Sequence, residues 1–110
     1  MTEYVDHYAY RVRWSAEDAA YVGTVAELPS LSWIADDRGA AFEGIQALVA
    51  DVLADMHDSG ETPPEALSDR NYSGKFVVRV PPEVHRQLAL AAAEQNVSLN
   101  RLAASRLVGH

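Results

Sequence analysis

The chain has 110 residues, no cysteine and a formal charge of −7 at pH 7, enough for one ordinary domain or two very small ones. Without cysteine, disulfides and thiolate metal sites are excluded, which suits a reducing cytosol. No apolar run nears the ~20 residues a bilayer crossing needs, and Met1-Thr2-Glu3-Tyr4 lacks the basic-then-apolar start of a signal peptide, so the expected location is cytoplasmic, with no membrane partner.

The charge is unevenly spread. Up to Arg70 there are four Arg against fourteen Asp and Glu, a net of −10; from Asn71 onward Lys75, Arg79, Arg86, Arg101 and Arg106 face only Glu83 and Glu94, a net of +3. Such asymmetry points to two jobs, with the basic part as the candidate for phosphate contact.

Residues 8–14 alternate, with Tyr8, Tyr10, Val12 and Trp14 on one side and Arg11 and Arg13 on the other. That is the pattern of a half-buried strand. Ser15-Ala16-Glu17-Asp18 is a polar turn, and residues 20–26 return through Tyr21, Val22 and Val25 as the second arm of an antiparallel hairpin. Leu28-Pro29-Ser30 interrupts, since proline cannot donate to a central ladder, and residues 31–35 with Trp33 and Ile34 form a third strand.

Asp36 and Asp37 suit a helix start, as cap and as charge on the dipole. Phe42, Ile45, Leu48, Val49, Val52, Leu53 and Met56 then recur at helical spacing until Ser59-Gly60, while Glu43, Asp51, Asp55 and Asp58 lie mostly off that stripe. Residues 1–60 therefore read as an α+β unit, a small three-stranded antiparallel sheet packed on a long helix. Its aromatics, Tyr8, Tyr10, Trp14, Tyr21 and Trp33, are expected in the core, with one or two left exposed to anchor a partner.

Residues 61–73 read as a linker, stiffened by Pro63-Pro64, in which only Leu67 and Tyr72 look able to dock. Lys75 to Val80 is a short strand stopped by Pro81-Pro82, and these prolines open a helix because a first-turn residue needs no amide hydrogen. Val84, Leu88, Ala91 and Ala92 mark its buried face, and Asn96 suits a left-handed terminator. Ser98 caps a second helix with the stripe Leu99, Leu102, Ala103 and Leu107.

A lone strand cannot satisfy its own backbone, and two short helices cannot bury these stripes. The economical solution is a dimer in which two copies of 75–80 pair antiparallel over four helices. Phe76, Val78 and Val80, with Leu88, form the expected dimer core. Lys75, Val77 and Arg79 face outward, where a two-stranded ribbon enters the DNA major groove. The amides that open the second helix at Ser98, Leu99 and Asn100 suit a phosphate. Arg86, Arg101 and Arg106 read as surface residues or peripheral phosphate contacts.

The run SGKFVVRVPPEVHRQLALAAAEQNVSLNRL, a strand, Pro-Pro-Glu, a helix and a capped second helix, resembles the ribbon-helix-helix family and is similar to the C-terminal segment of HicB antitoxins. The stretch YVGTVAELPSL and the helix after it resemble the HicB N-terminal domain, a partial RNase H-like fold. The resemblance implies that 1–60 bind a HicA-like ribonuclease toxin, that 74–110 bind operator DNA, and that the chain is a homodimer or tetramer repressing its own operon. Val77 departs from the pattern, since many such ribbons carry a polar base-reading residue there. The alternative is a solitary ribbon-helix-helix regulator whose N-terminal domain senses a small molecule or assembles dimers.

An RNase H-like fold invites a nuclease reading, because that chemistry gathers carboxylates around divalent metal. The first strand offers Tyr10, Arg11, Val12 and Arg13 at its centre, with no aspartate to hold metal, and Asp51, Asp55 and Asp58 read as a solvated helix edge. His7, His57, His85 and His110 are too scattered for metal-ligand spacing. No catalytic residue, metal or cofactor is expected.

Overall fold

Three antiparallel strands in the order β1-β2-β3 form the single sheet of the described residues, with β1 at Tyr10–Ser15, β2 at Ala20–Val25 and β3 at Ser32–Ala35. The computed structural model describes residues 2–109, and their side chains from Val5 onward. The chain divides into two units, Met1–Tyr72 and Ser73–His110. The fold class is α+β, as the periodicities predict.

Register explains which face is covered. Val12 and Trp33 both lie opposite Gly23, and Tyr10 lies opposite Val25, so these side chains share one face. Helix α2, Arg38–Asp58, packs on that face. Its start is set by Asp37, whose Oδ1 accepts from Ala40 N at 2.8 Å. Ala41, Ile45, Val49 and Leu53 are its buried residues, spaced as one stripe of a 3.6-residue helix. Gly23 lets the helix approach, because a Cβ there would sit 2.7 Å from the Ala41 carbonyl oxygen. Val25, Ile45, Val49 and Leu53 are at most 1% exposed, and each such burial contributes about 1.5–3 kcal/mol.

Two features were not anticipated. Residues Thr2–His7 form a short helix, α1, that packs on α2. The segment read as a linker docks instead on the first unit as far as Tyr72, through a 3₁₀ turn at Leu67–Asp69. Glu27 joins the two ends of this arrangement, one carboxylate oxygen accepting from Ala9 N and the other from Leu67 N, both at 2.9 Å. Tyr8 donates to the Pro64 carbonyl at 2.6 Å, Ser68 donates to the His7 carbonyl at 3.2 Å, and Ala66 is fully buried. These bonds satisfy backbone groups that a packed segment would otherwise leave unpaired.

Among the aromatics, the exposure expected of one or two falls on the tryptophans. Tyr8 is core as expected, but Trp14 and Trp33 are 54% and 44% exposed. Trp14 lies near the end of β1, edge-on to Tyr21 at 5.1 Å, and Arg38 sits 5.4 Å above the Tyr21 ring. Trp33 lies against Gly44 of α2 with its outer side uncovered.

Candidate nucleic-acid interface

The second unit begins in a turn. Gly74 has φ +86°, a left-handed conformation that glycine adopts without steric penalty, and Lys75 N donates to Ser73 Oγ at 3.1 Å. From there Lys75 to Val80 run without secondary structure, and every residue from Asn71 to Arg86 is exposed. The strand expected over 75–80 is therefore not formed within one chain. The physical reason is pairing: a strand exists through a neighbour's hydrogen bonds, and the described residues of the second unit contribute no other extended segment. Phe76, Val78 and Val80 are exposed at 73%, 60% and 41%, as is Val77.

The helices follow the sequence signals closely. Helix α3 spans Pro82–Glu94 with proline in its first turn, and its end is marked by Asn96 at φ +57°. Helix α4 spans Leu99–Val108, capped by Ser98, whose Oγ accepts from Arg101 N at 3.0 Å. With Arg101 N so engaged, and Leu102 N bonded to the Ser98 carbonyl, the Leu99 and Asn100 amides are those at the helix start with no helical partner. Ser98 and Asn100 are exposed and Leu99 half-buried, so the three residues expected at a phosphate adjoin one another at the opening of α4.

Burial in this unit is partial. Ala92 and Leu102 are buried; Leu88, Ala91, Leu99 and Ala103 are half-buried. Val84 and Leu107, expected on the apolar stripes, are exposed. Two helices have only each other to pack on, so the outer part of each stripe stays wet. Arg86 pairs with Glu83 at 3.5 Å across one turn, and both are largely exposed, a geometry that contributes little to stability.

Residues 59–107 match the HicB family. Over this segment, less than half of its length, the chain is similar to the HicB family. That similarity suggests an antitoxin role in a toxin–antitoxin pair. The matched region runs from the end of α2 through the docked 61–72 segment, the exposed 75–80 stretch and both C-terminal helices. No curated protein and no solved structure matches the chain. Among the described residues, no helix is long and apolar enough to cross a membrane. Of the four histidines, His110 lies outside the described residues, and His7 sits 2.5 Å from Asp69 in an exposed pair. Sequence reasoning missed Glu27 as the fastener of 61–72, because its partners are 18 and 40 residues away and no local pattern announces such contacts.

Proposed function

We propose that this chain neutralises a HicA-like ribonuclease toxin with its N-terminal unit and represses its own operon through residues 74–110. The observation that carries the DNA-binding half is the 75–80 segment. Its alternate positions put Lys75, Val77 and Arg79 on one side and Phe76, Val78 and Val80 on the other, it pairs with nothing among the described residues, and it precedes two helices whose stripes are half covered. Two copies aligned antiparallel satisfy each other's backbone and bury Phe76, Val78, Val80 and Leu88 between them. The opposite face then presents Lys75, Val77 and Arg79 twice over to the major groove. A two-stranded ribbon fits that groove, where Arg reads guanine through two hydrogen bonds.

Affinity in this arrangement comes chiefly from phosphates. Lys75 and Arg79 supply charge, and the Leu99 and Asn100 amides, aligned by the Ser98 cap, hold a phosphate at the positive end of α4. The N-terminal unit, at −10 over residues 1–70, repels DNA and attracts a basic RNA-binding partner, since complementary charge speeds encounter and selects partners. It acts by occlusion, without catalytic residues, metal or cofactor of its own.

The test separates the units. Fragments 1–72 and 73–110 are each checked for folding, then assayed by pull-down with a HicA-like toxin and by operator gel shift. The first should hold the toxin and lose the operator. The second should retain the operator weakly, because a miniature dimer has little buried area and any avidity from higher assembly is gone. The opposite assignment, with toxin binding in 73–110, would refute this division of labour.

A further inference from the structure

A three-stranded sheet has two edges, and each offers a row of backbone N–H and C=O groups with which another chain can pair. Here the edge strands are β1 and β3, on either side of β2. They are guarded differently. β1 carries Arg11 and Arg13, both exposed, and charged side chains are a common means of keeping an edge from pairing. β3 reads Ser32-Trp33-Ile34-Ala35, with no charge and no proline, and its register with β2 runs unbroken from Ser32 to Ala35, so no bulge blunts it.

The two large side chains of β3 are 44% and 55% exposed, and they lie on opposite faces of the sheet. Trp33 is firmly seated, because its ring occupies the space a side chain at position 44 would need. The unguarded edge thus has a fixed aromatic anchor on the helix face, Ile34 on the open face, and unpaired backbone between them. Those are the elements of recognition by strand addition, in which main-chain bonds supply affinity and alternate side chains supply selectivity.

Charge around this edge indicates what pairs with it. Asp36 and Asp37 follow β3 directly and are exposed. On α2, Asp51 and Asp55 lie seven and eleven residues beyond Gly44, which at 100° per residue puts them on the side of the helix where Trp33 packs. A second copy of this unit would bring −10 against −10, whereas a basic chain meets complementary carboxylates.

We propose that the β3 edge is the docking site of the basic toxin, which adds a strand beside Ser32–Ala35, covers Trp33 and Ile34, and sets its cations against Asp36, Asp37, Asp51 and Asp55. This rests on the antitoxin reading above and assigns that reading a surface.

The experiment uses the full chain and a HicA-like toxin in a catalytically inactive form. Ile34→Lys places a guarding charge on β3 at an exposed position, and Arg13→Gln alters the opposite edge. Calorimetric affinity should fall about tenfold or more for Ile34→Lys, as for loss of a central interface contact, and stay within about threefold for Arg13→Gln. A urea melt of the first unit, with an unchanged midpoint in both, checks that the variants are folded there. Independently of any variant, amide exchange at 32–35 in the unaltered chain should slow when the toxin binds. Ile34→Lys binding as tightly as the unaltered chain, or unchanged exchange at 32–35, overturns the proposal while leaving the antitoxin reading in place. Slowing at 32–35 that tracks the concentration of this chain alone would assign the edge to a second copy and overturn it equally. If the unaltered chain fails to bind the toxin at all, the antitoxin reading itself falls.

Discussion

In the first unit, β-branched and leucine side chains from two layers close over one another, and Val25, Ile45, Val49 and Leu53 are essentially out of water. In the second, Ala92 and Leu102 are the buried residues, whereas Phe76, Leu107 and Val108 are about 70% exposed or more. Both segments carry regular amphipathic patterns, so pattern alone does not separate them. What separates them is the supply of opposing surface. A sheet and a 21-residue helix can cover each other within one chain, but two short helices and an extended segment cannot. The first unit covers its own core; the second leaves its apolar stripes half covered, as the proposed dimer requires.

The strongest way to break this contrast is at Leu53, 1% exposed in the first unit. Leu53→Ala should destabilise that unit by about 2–5 kcal/mol, the range for buried leucine truncations, and by the same amount at every protein concentration in urea melts. A loss that depends on concentration would mean that the first unit also relies on a partner. Phe76→Ala should do the reverse, leaving the first unit's melt unaltered while weakening self-association by about 2–4 kcal/mol, as for an aromatic hot spot. Sedimentation across the micromolar range reads this directly. A folded monomer throughout that range for the unaltered chain would remove the ribbon from consideration.

Smaller effects sharpen the contrast. Arg79→Ala should cost operator binding about 1–3 kcal/mol if its guanidinium makes a two-bonded base contact, and should flatten the salt dependence seen in gel shifts. Ser98→Ala should cost about 0.5–2 kcal/mol of helix stability, since Ser98 Oγ holds Arg101 N, and it should slightly weaken DNA binding as well. The smallest effect concerns Tyr10, whose hydroxyl is buried without a hydrogen-bond partner among the described residues. Burial above all, then the charges of Asp6, Glu27 and Tyr8, raises its pKa from 10.0 to about 12. The unfolded chain therefore releases this proton before the native one does. The contribution is full below pH 10 and lost as pH rises towards about 12. Tyr10→Phe should remove that part of the alkaline decline, measurable in melts taken across this window.

Much of the fold was legible because it is locally encoded. Strict alternation gave β1, turn chemistry gave the hairpin, and the Ile45, Val49, Leu53 spacing gave α2. In the second unit, Asn96 and Ser98 marked where one helix stops and the next starts, and the structure agrees at both. The failures share another cause. Helix α1 has only six residues, too few to be stable by propensity, and it exists through its packing on α2. The docking of 61–72 depends on Glu27 and Tyr8, contacts across 40 and 56 positions. Which of the aromatics stay exposed was not legible either, because strand periodicity tells which face a side chain takes and not how far the helix extends over it. For the interface, composition and phase nominated Lys75, Val77 and Arg79, and the single chain leaves all three exposed.

Two glycines differ in what they would forbid under random substitution. At Gly23 the backbone is ordinary and the space is missing: a Cβ would meet the Ala41 carbonyl oxygen at 2.7 Å and Ile45 Cγ2 at 2.9 Å. At Gly74 the space is open and the backbone is the constraint, at φ +86° with nothing within 4 Å of where a methyl group would sit. A saturation library selected for folding should therefore accept glycine alone at position 23, since even alanine must push a helix off a sheet. At position 74 it should tolerate asparagine or aspartate, which enter the left-handed region at modest cost. The same letter in the sequence thus records a distance between layers in one place and a direction of travel in the other.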